Sequence, residues 1–215
     1  MIFGQSNASL WLKLPLLLTL AYFLGSGLMS GAETLPPPER AGESSLWTVE
    51  QLLAGLAKNR PQEVGFEETA SSHLLTQPLK TQGILRFTPP ATLEKSVTAP
   101  YKERYLVEGD KVFFESKAKR INKALSLQDY PVLRAFVEAF RSTLANDLPT
   151  LKRFYRVTLE GEPRRWTLIL RPSDSAMQEL VESIRFSGEG EQVKAIETLA
   201  PDGDRSLMVM TTDAQ

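Results

Sequence analysis

Along most of its length this chain alternates short apolar–polar runs with turns of hairpin length. "LKTQGILRF" places Leu79, Thr81, Gly83, Leu85 and Phe87 on one face and Lys80, Gln82 and Arg86 on the other, with Ile84 the exception. That is the alternation of a sheet wetted on one side. "ATLEKSVT" puts Leu93 and Val97 on one face with Lys95 between them, and "RYLVEGDKVFFE" holds two runs around a Gly109-Asp110 hairpin turn. "RFYRVTLE" and "RWTLILRP" flank a turn at Gly161-Glu162-Pro163. "ESIRFSG", "QVKAIETL" and "DRSLMVM" follow, parted by Gly188-Glu189-Gly190 and Asp202-Gly203. Strands this close in sequence pair antiparallel, because a parallel pair needs a long crossover. The expected class is α+β, with about nine to eleven strands. So large a twisted sheet curls on itself, and one solution is an open barrel with the helices filling its mouth.

Two substantial helices interrupt the strands. Thr48 before Val49-Glu50-Gln51 fits a capping box, Val49, Leu52, Leu53 and Leu56 form one apolar stripe, and Pro61 stops the helix. Leu133, Phe136, Val137, Phe140 and Leu144 form a second stripe, with Pro131 in its first turn and Pro149 beyond its end. A third, short helix is expected around Ser173–Leu180. The pair Pro89-Pro90 restricts Thr88 and Pro89 to extended geometry and blocks ladder bonding. It reads as a strand-to-strand corner at a barrel rim, guarding an edge.

The N-terminus constrains location. Lys13 precedes an apolar run from Leu14 to Met29, broken by Pro15 and by Gly25-Ser26-Gly27. That is shorter than the ~20 residues of a bilayer span. Ser30-Gly31-Ala32 resembles a small-x-small cleavage site, so residues 1–32 read as a signal peptide, with an uncleaved anchor as the rival. A mature N-terminus at Glu33 is expected. Residues 33–46, rich in Pro, Gly and Ser, form a flexible leader, and residues 47–215 form the folded domain.

Most chemistry is excluded by inventory. The 215 residues contain no cysteine, so disulfides, thiolate metal sites and thiol nucleophiles are ruled out. His73 is the lone histidine, which rules out a multi-histidine metal cluster; no metal ligand and no cofactor is assigned. It lies in the strand-like "ETASSHLL" with no nucleophile elbow beside it, and no catalytic residue is assigned. Glu67-Glu68 reads as a solvated strand edge, and Gly188-Glu189-Gly190 as a turn, since no P-loop lysine follows. Twenty-five basic against 26 acidic residues give a net charge of −1, without the pull toward nucleic acid that a basic chain has. "KAKRINK", Lys117–Lys123, is the one basic cluster and reads as a solvated strand or loop, with contact to anionic lipid head groups or an acidic partner as the functional alternative; Arg164-Arg165 reads as a turn flank. What remains is apolar surface. Phe87, Phe113, Phe114, Phe136, Phe140, Phe154, Tyr155 and Trp166 build either a packed core or the wall of a ligand cavity.

Several of these positions together resemble a known family. Gly83, Leu85, Phe87, Pro90, Leu93, Pro100 and the Gly109-Asp110 turn match the pattern of the outer-membrane lipoprotein carrier (LolA-like) family. Leu168–Pro172, Ile184 and Asp202-Gly203-Asp204 fit it too. The resemblance implies a half-open antiparallel β-barrel with helices lidding the concave face, and a non-enzymatic, monomeric carrier in the periplasm of a Gram-negative bacterium, holding lipid or lipoprotein acyl chains. Its expected partners are an inner-membrane donor complex and an outer-membrane acceptor. It implies a cavity lined by Leu85, Phe87, Pro89, Leu93, Val97, Phe136, Phe140, Trp166 and Leu168. It also implies that an arginine before Pro90 latches the lid; this chain has Pro89 there, which donates no hydrogen bond. The lid is therefore expected to rest on apolar contact alone. The rival class is a non-catalytic envelope structural or stress-sensing protein with the same half-barrel and a filled core.

Overall fold

The structure is a computed structural model and describes residues 47–211. The expected signal peptide and the whole of the expected leader lie outside those residues. Eleven antiparallel strands form one sheet: β1 (Glu63–Ser71), β2 (Leu79–Thr88), β3 (Thr92–Ala99), β4 (Glu103–Glu108), β5 (Lys111–Ser116), β6 (Ile121–Ser126), β7 (Tyr155–Glu162), β8 (Arg165–Pro172), β9 (Ser183–Glu189), β10 (Gln192–Leu199) and β11 (Arg205–Thr211). The spatial order is β6-β5-β4-β3-β2-β1-β11-β10-β9-β8-β7. The chain walks outward from β1 to β6, crosses the concave face as helices, and returns from β7 to β11, which pairs with β1. The edges β6 and β7 do not pair with each other, so the sheet is an α+β half-barrel and not a closed one.

Four helices are described: α1 (Val49–Asn59), α2 (Pro131–Ala145), α3 (Leu148–Phe154) and α4 (Ser175–Gln178). The capping box at α1 forms as expected, with Thr48 accepting from the Gln51 amide and the Gln51 side chain accepting from the Thr48 amide. Pro149 does not merely end α2. It sits in the first turn of α3, where its missing N–H costs nothing, and Asp147 caps that turn by accepting from Thr150 N at 3.0 Å. The run expected as "RFYRVTLE" therefore starts its strand only at Tyr155. Among the described residues no helix is long and apolar enough to cross a membrane.

Alternation along the strands segregates two faces. Leu85, Gly83 and Thr81 share one face with Val64, Phe66 and Glu68 of β1, and through β11 with Met210, Met208 and Ser206. The ladder carries that face through Ile196 and Phe186 to Leu168 and Leu159 at one end, and through Lys95 and Tyr105 to Phe114 at the other. Helices α1 and α2 press Leu52, Leu53, Leu56, Phe136 and Ala139 into the β7–β10 half, forming a dry core with Tyr155, Trp166, Leu168, Leu170, Ile184 and Phe186. A second cluster joins Leu133 and Val137 of α2 to Val107 and Val112.

Two glycines permit close approach within this sheet. A Cβ on Gly83 would lie 2.0 Å from the carbonyl oxygen of Ser96, at the register shift where β2 meets β3. A Cβ on Gly188 would lie 2.4 Å from the Trp166 ring, whose indole N–H donates to Gly190 O at 2.8 Å. The Pro89-Pro90 pair, joined by a cis peptide bond, forms the tight β2–β3 turn. Both flanking strands are interior to the sheet, so the pair guards no edge: the two strands it joins are already paired on both sides.

Candidate functional site

Between the concave face and the helices lies a cavity of about 590 Å³, within the range of small-ligand sites. Leu85 and Phe87 of β2, Leu93 and Val97 of β3, and Phe136 and Phe140 of α2 line it. Leu56 and Val107, with Ile196, Met208 and Met210, widen the apolar wall. The methionines suit a wall that must adapt, because an unbranched thioether repacks easily. Three residues expected on the wall are elsewhere. Trp166 and Leu168 are buried in the dry core, in one cluster with Leu52, Leu53 and Leu56 of α1. Pro89 is exposed in its turn and does not border the cavity; two residues past Phe87 the strand has already ended.

The lid is not held by apolar contact alone. Arg60, the C-cap of α1, donates from Nη1 to Ala57 O at 2.6 Å and to Leu144 O of α2 at 2.9 Å. Its guanidinium lies 4.7 Å from the centroid of the Phe87 ring, a cation–π distance. One arginine thus ties α1 to α2 and both to the wall strand β2. Asn59 adds a hydrogen bond from α1 to Glu191 of the β9–β10 turn. Helix α2 is tied at two more points: Arg141 donates to Gly109 O at 2.8 Å, and the Tyr155 hydroxyl donates to Ala135 O at 2.8 Å. No sequence pattern marks Arg60, since its acceptor Leu144 lies far along the chain.

One part of the concave face is polar. Glu68 does not sit on a solvated edge. Strand β1 is interior to the sheet, and Glu68 faces the cavity, where Lys95 Nζ lies 2.5 Å from its Oε2. Ser206 donates to Oε1 at 2.6 Å and Thr81 to Oε2 at 3.3 Å. On the neighbouring strands, Glu103 accepts from Tyr105 at 2.7 Å and Ser116 at 3.2 Å, and pairs with Lys119 at 2.9 Å. Burial pushes the Glu68 carboxyl up, but the Lys95 ammonium and the hydrogen bonds outweigh it and hold the group below the ordinary 4.5. Glu103 behaves likewise, burial opposed by Lys119 and the two hydroxyls. Burial, then Glu103, raises the Tyr105 phenol well above its usual range. The sequence held a partial signal: Lys95 alternates with Leu93 and Val97 on an inward face.

On the convex face Arg86 bridges Glu63 at 2.7 Å and Glu94 at 3.2 Å, and Arg104 reaches Glu94 at 3.0 Å. The expectation that Arg86 turns away from the wall is met in its partners, although Arg86, Glu63 and Glu94 also border the cavity mouth.

His73 lies just past the end of β1, in the β1–β2 connection and not within a strand. Its Nδ1 sits 3.0 Å from Oδ1 of the buried Asp204, which also accepts from His73 N at 3.2 Å. Asp202 completes a group whose ligand atoms lie within 4.8 Å of one another. One imidazole and two carboxylates are a set that a divalent cation can use; the sequence reading assigned no metal ligand, because His73 and the two aspartates stand at opposite ends of the domain.

The model of the family described as outer membrane lipoprotein carrier protein LolA-like matches residues 41–215. No curated protein matches the chain at a significant level. Among solved structures, it is similar to a LolA superfamily protein of Nitrosomonas europaea, at 10% identity and a TM-score of 0.42, over 77% of this chain and 92% of that one. It is similar to an uncharacterised conserved protein of Thermus thermophilus, at 10% identity and a TM-score of 0.45, over 77% and 88% of the two chains. It is also similar to the lipoprotein LppX of Mycobacterium tuberculosis, at 10% identity and a TM-score of 0.36, over 76% and 95%.

Proposed function

This chain belongs to the outer membrane lipoprotein carrier protein LolA-like family, and from that premise we propose that it is a non-enzymatic carrier of lipid or lipoprotein acyl chains. The observation that carries the reading is the cavity of about 590 Å³, apolar where the helices cover it. An acyl chain has no directional recognition to offer, so the sheet supplies area: burying apolar surface contributes roughly 25 cal/mol per Å². The lid supplies control. Arg60 holds α1 and α2 closed through hydrogen bonds, which are directional and break once the helices separate. Transport then needs only two states, a closed one holding the chain and an open one releasing it.

The rest of the proposal follows from the sequence reading. Residues 1–32 direct export to the periplasm of a Gram-negative bacterium and are cleaved. The mature monomer takes its cargo from an inner-membrane donor and delivers it to an outer-membrane acceptor. The unfilled volume under the helices favours carriage over the structural or stress-sensing alternative, which needs a packed interior.

Mass spectrometry of organic extracts from protein purified from the envelope tests this. Co-purifying acylated lipid at about one equivalent, with an intact mass starting at Glu33, is the expected result. Protein free of lipid that also fails to bind an added acyl ligand would overturn it.

A further inference from the structure

A cavity meant only for hydrocarbon has no use for a half-buried ion pair on its wall. We infer that Lys95 is a polar subsite inside this cavity, donating hydrogen bonds to the carbonyl oxygen of an acylated ligand. The inference rests on the carrier reading and specifies which part of the cargo is recognised.

The donor inventory carries the argument. Lys95 brings three N–H donors. Among the described residues its one hydrogen-bond partner is Glu68, so two donors are left on a side chain 21% exposed toward the cavity it lines. Glu68 already accepts from three groups: Lys95, Thr81 and Ser206. Glu103 is similarly occupied by Tyr105, Ser116 and Lys119. The unspent capacity beside Lys95 is therefore donor in kind, and it suits a ligand oxygen that accepts.

Position agrees with that chemistry. Lys95 stands opposite Leu85 on β2 and Tyr105 on β4, and its ammonium lies 5.1 Å from the Phe66 ring centroid. On the same strand, one inward step away, Leu93 meets Phe87 and Val107, under Phe136 and Val137 of α2. An acyl chain lying under the helices along Leu93, Phe87 and Phe136 brings its one polar group, the carbonyl, to Lys95. Glu68 is the positioning residue: its carboxylate holds the ammonium on the wall. A carbonyl oxygen comes from either a free carboxylate or an ester or amide, and the experiment separates them.

The test uses hexadecanoate, methyl hexadecanoate and hexadecane, each displacing a bound apolar fluorophore from the mature protein. Lys95→Met is expected to weaken hexadecanoate and its methyl ester about tenfold or more, the scale of a hydrogen bond from a charged donor, and to leave hexadecane unchanged. A larger loss for hexadecanoate than for the ester identifies the carboxylate as the preferred source; equal losses identify the uncharged carbonyl. Lys95→Met leaves Glu68 unpaired, so Glu68→Leu/Lys95→Met, which removes both charges, is measured beside it and must show the same selectivity. Equal weakening of all three ligands in both variants, or no weakening of the two oxygen-bearing ones, overturns the subsite. If the wild type binds none of the three, the carrier reading itself falls, a result distinct from loss of selectivity.

Discussion

The guanidinium of Arg60 lies over the ring of Phe87, 4.7 Å from its centroid, while its Nη1 donates to the carbonyl of Leu144 at 2.9 Å. The contact joins the end of α1, the end of α2 and the wall strand β2 through a single side chain. In Arg60→Met the stem still packs but the donor is gone. Losing about 1.5 kcal/mol from the closed state should speed release of a bound fluorescent fatty acid roughly tenfold in stopped-flow displacement. Pro89→Arg should leave release unchanged, because position 89 is exposed and off the cavity wall. Slower release in Pro89→Arg would show that the β2–β3 turn reaches the lid after all.

The two faces of β2 should separate in a binding assay. Leu85 lines the cavity between Val64 and Lys95, whereas Ile84 faces the other way between Gly65 and Ser96. Leu85→Trp fills cavity volume and should lower apolar-probe affinity several-fold at constant far-ultraviolet dichroism. Ile84→Trp should not. Equal effects would place the register one residue off.

Gly83→Ala tests the close approach of β2 and β3. The new methyl meets a backbone oxygen, Ser96 O, at 2.0 Å, so no rotamer change relieves it and a strand must shift. Destabilisation of about 1–3 kcal/mol is expected by chemical denaturation. By contrast Gly109→Ala has open space around it and is disfavoured only by its φ of +55°, at about 1–2 kcal/mol.

Acid should unfold the protein through its ion-paired carboxylates. Glu68, Glu94 and Glu103 all titrate below 4.5 in the folded chain. A depressed folded value means the unfolded chain binds protons first. The stabilisation is therefore complete above pH about 4.5 and is lost as pH falls through the folded values. Melting temperature should be flat near neutrality and fall below that point. In Glu68→Leu/Lys95→Met the fall should be shallower, because one of the three groups is gone; an unchanged slope would mean that Glu68 does not contribute.

How much of this was legible in sequence depends on the reach of each signal. The hairpins from β2 to β5, the capping box at Thr48 and the amphipathic stripe of α2 rest on neighbours within a turn or two, and all appear where the periodicity puts them. The inward orientation of Leu85, Phe87, Leu93 and Val97 follows from alternation alone. Glu68 was misread because its partner stands two strands away: nothing near Glu68 announces Lys95, and an acidic pair in a strand ordinarily faces water. Trp166 and Leu168 also alternate inward, but which inward residues meet helix and which meet open volume depends on where α1 comes down.

By itself, then, the sequence determined the antiparallel class, the α1 and α2 helices and the inward side of β2 and β3, because these are set by side-chain period and by turns a few residues long. Only the tertiary structure decided that β1 pairs with β11, that Arg60 and not the residue before Pro90 ties the helices together, and that a charged pair sits in an apolar wall. Those are contacts between groups far apart along the chain, and their energy depends on a distance and a burial that exist only once the sheet has curled.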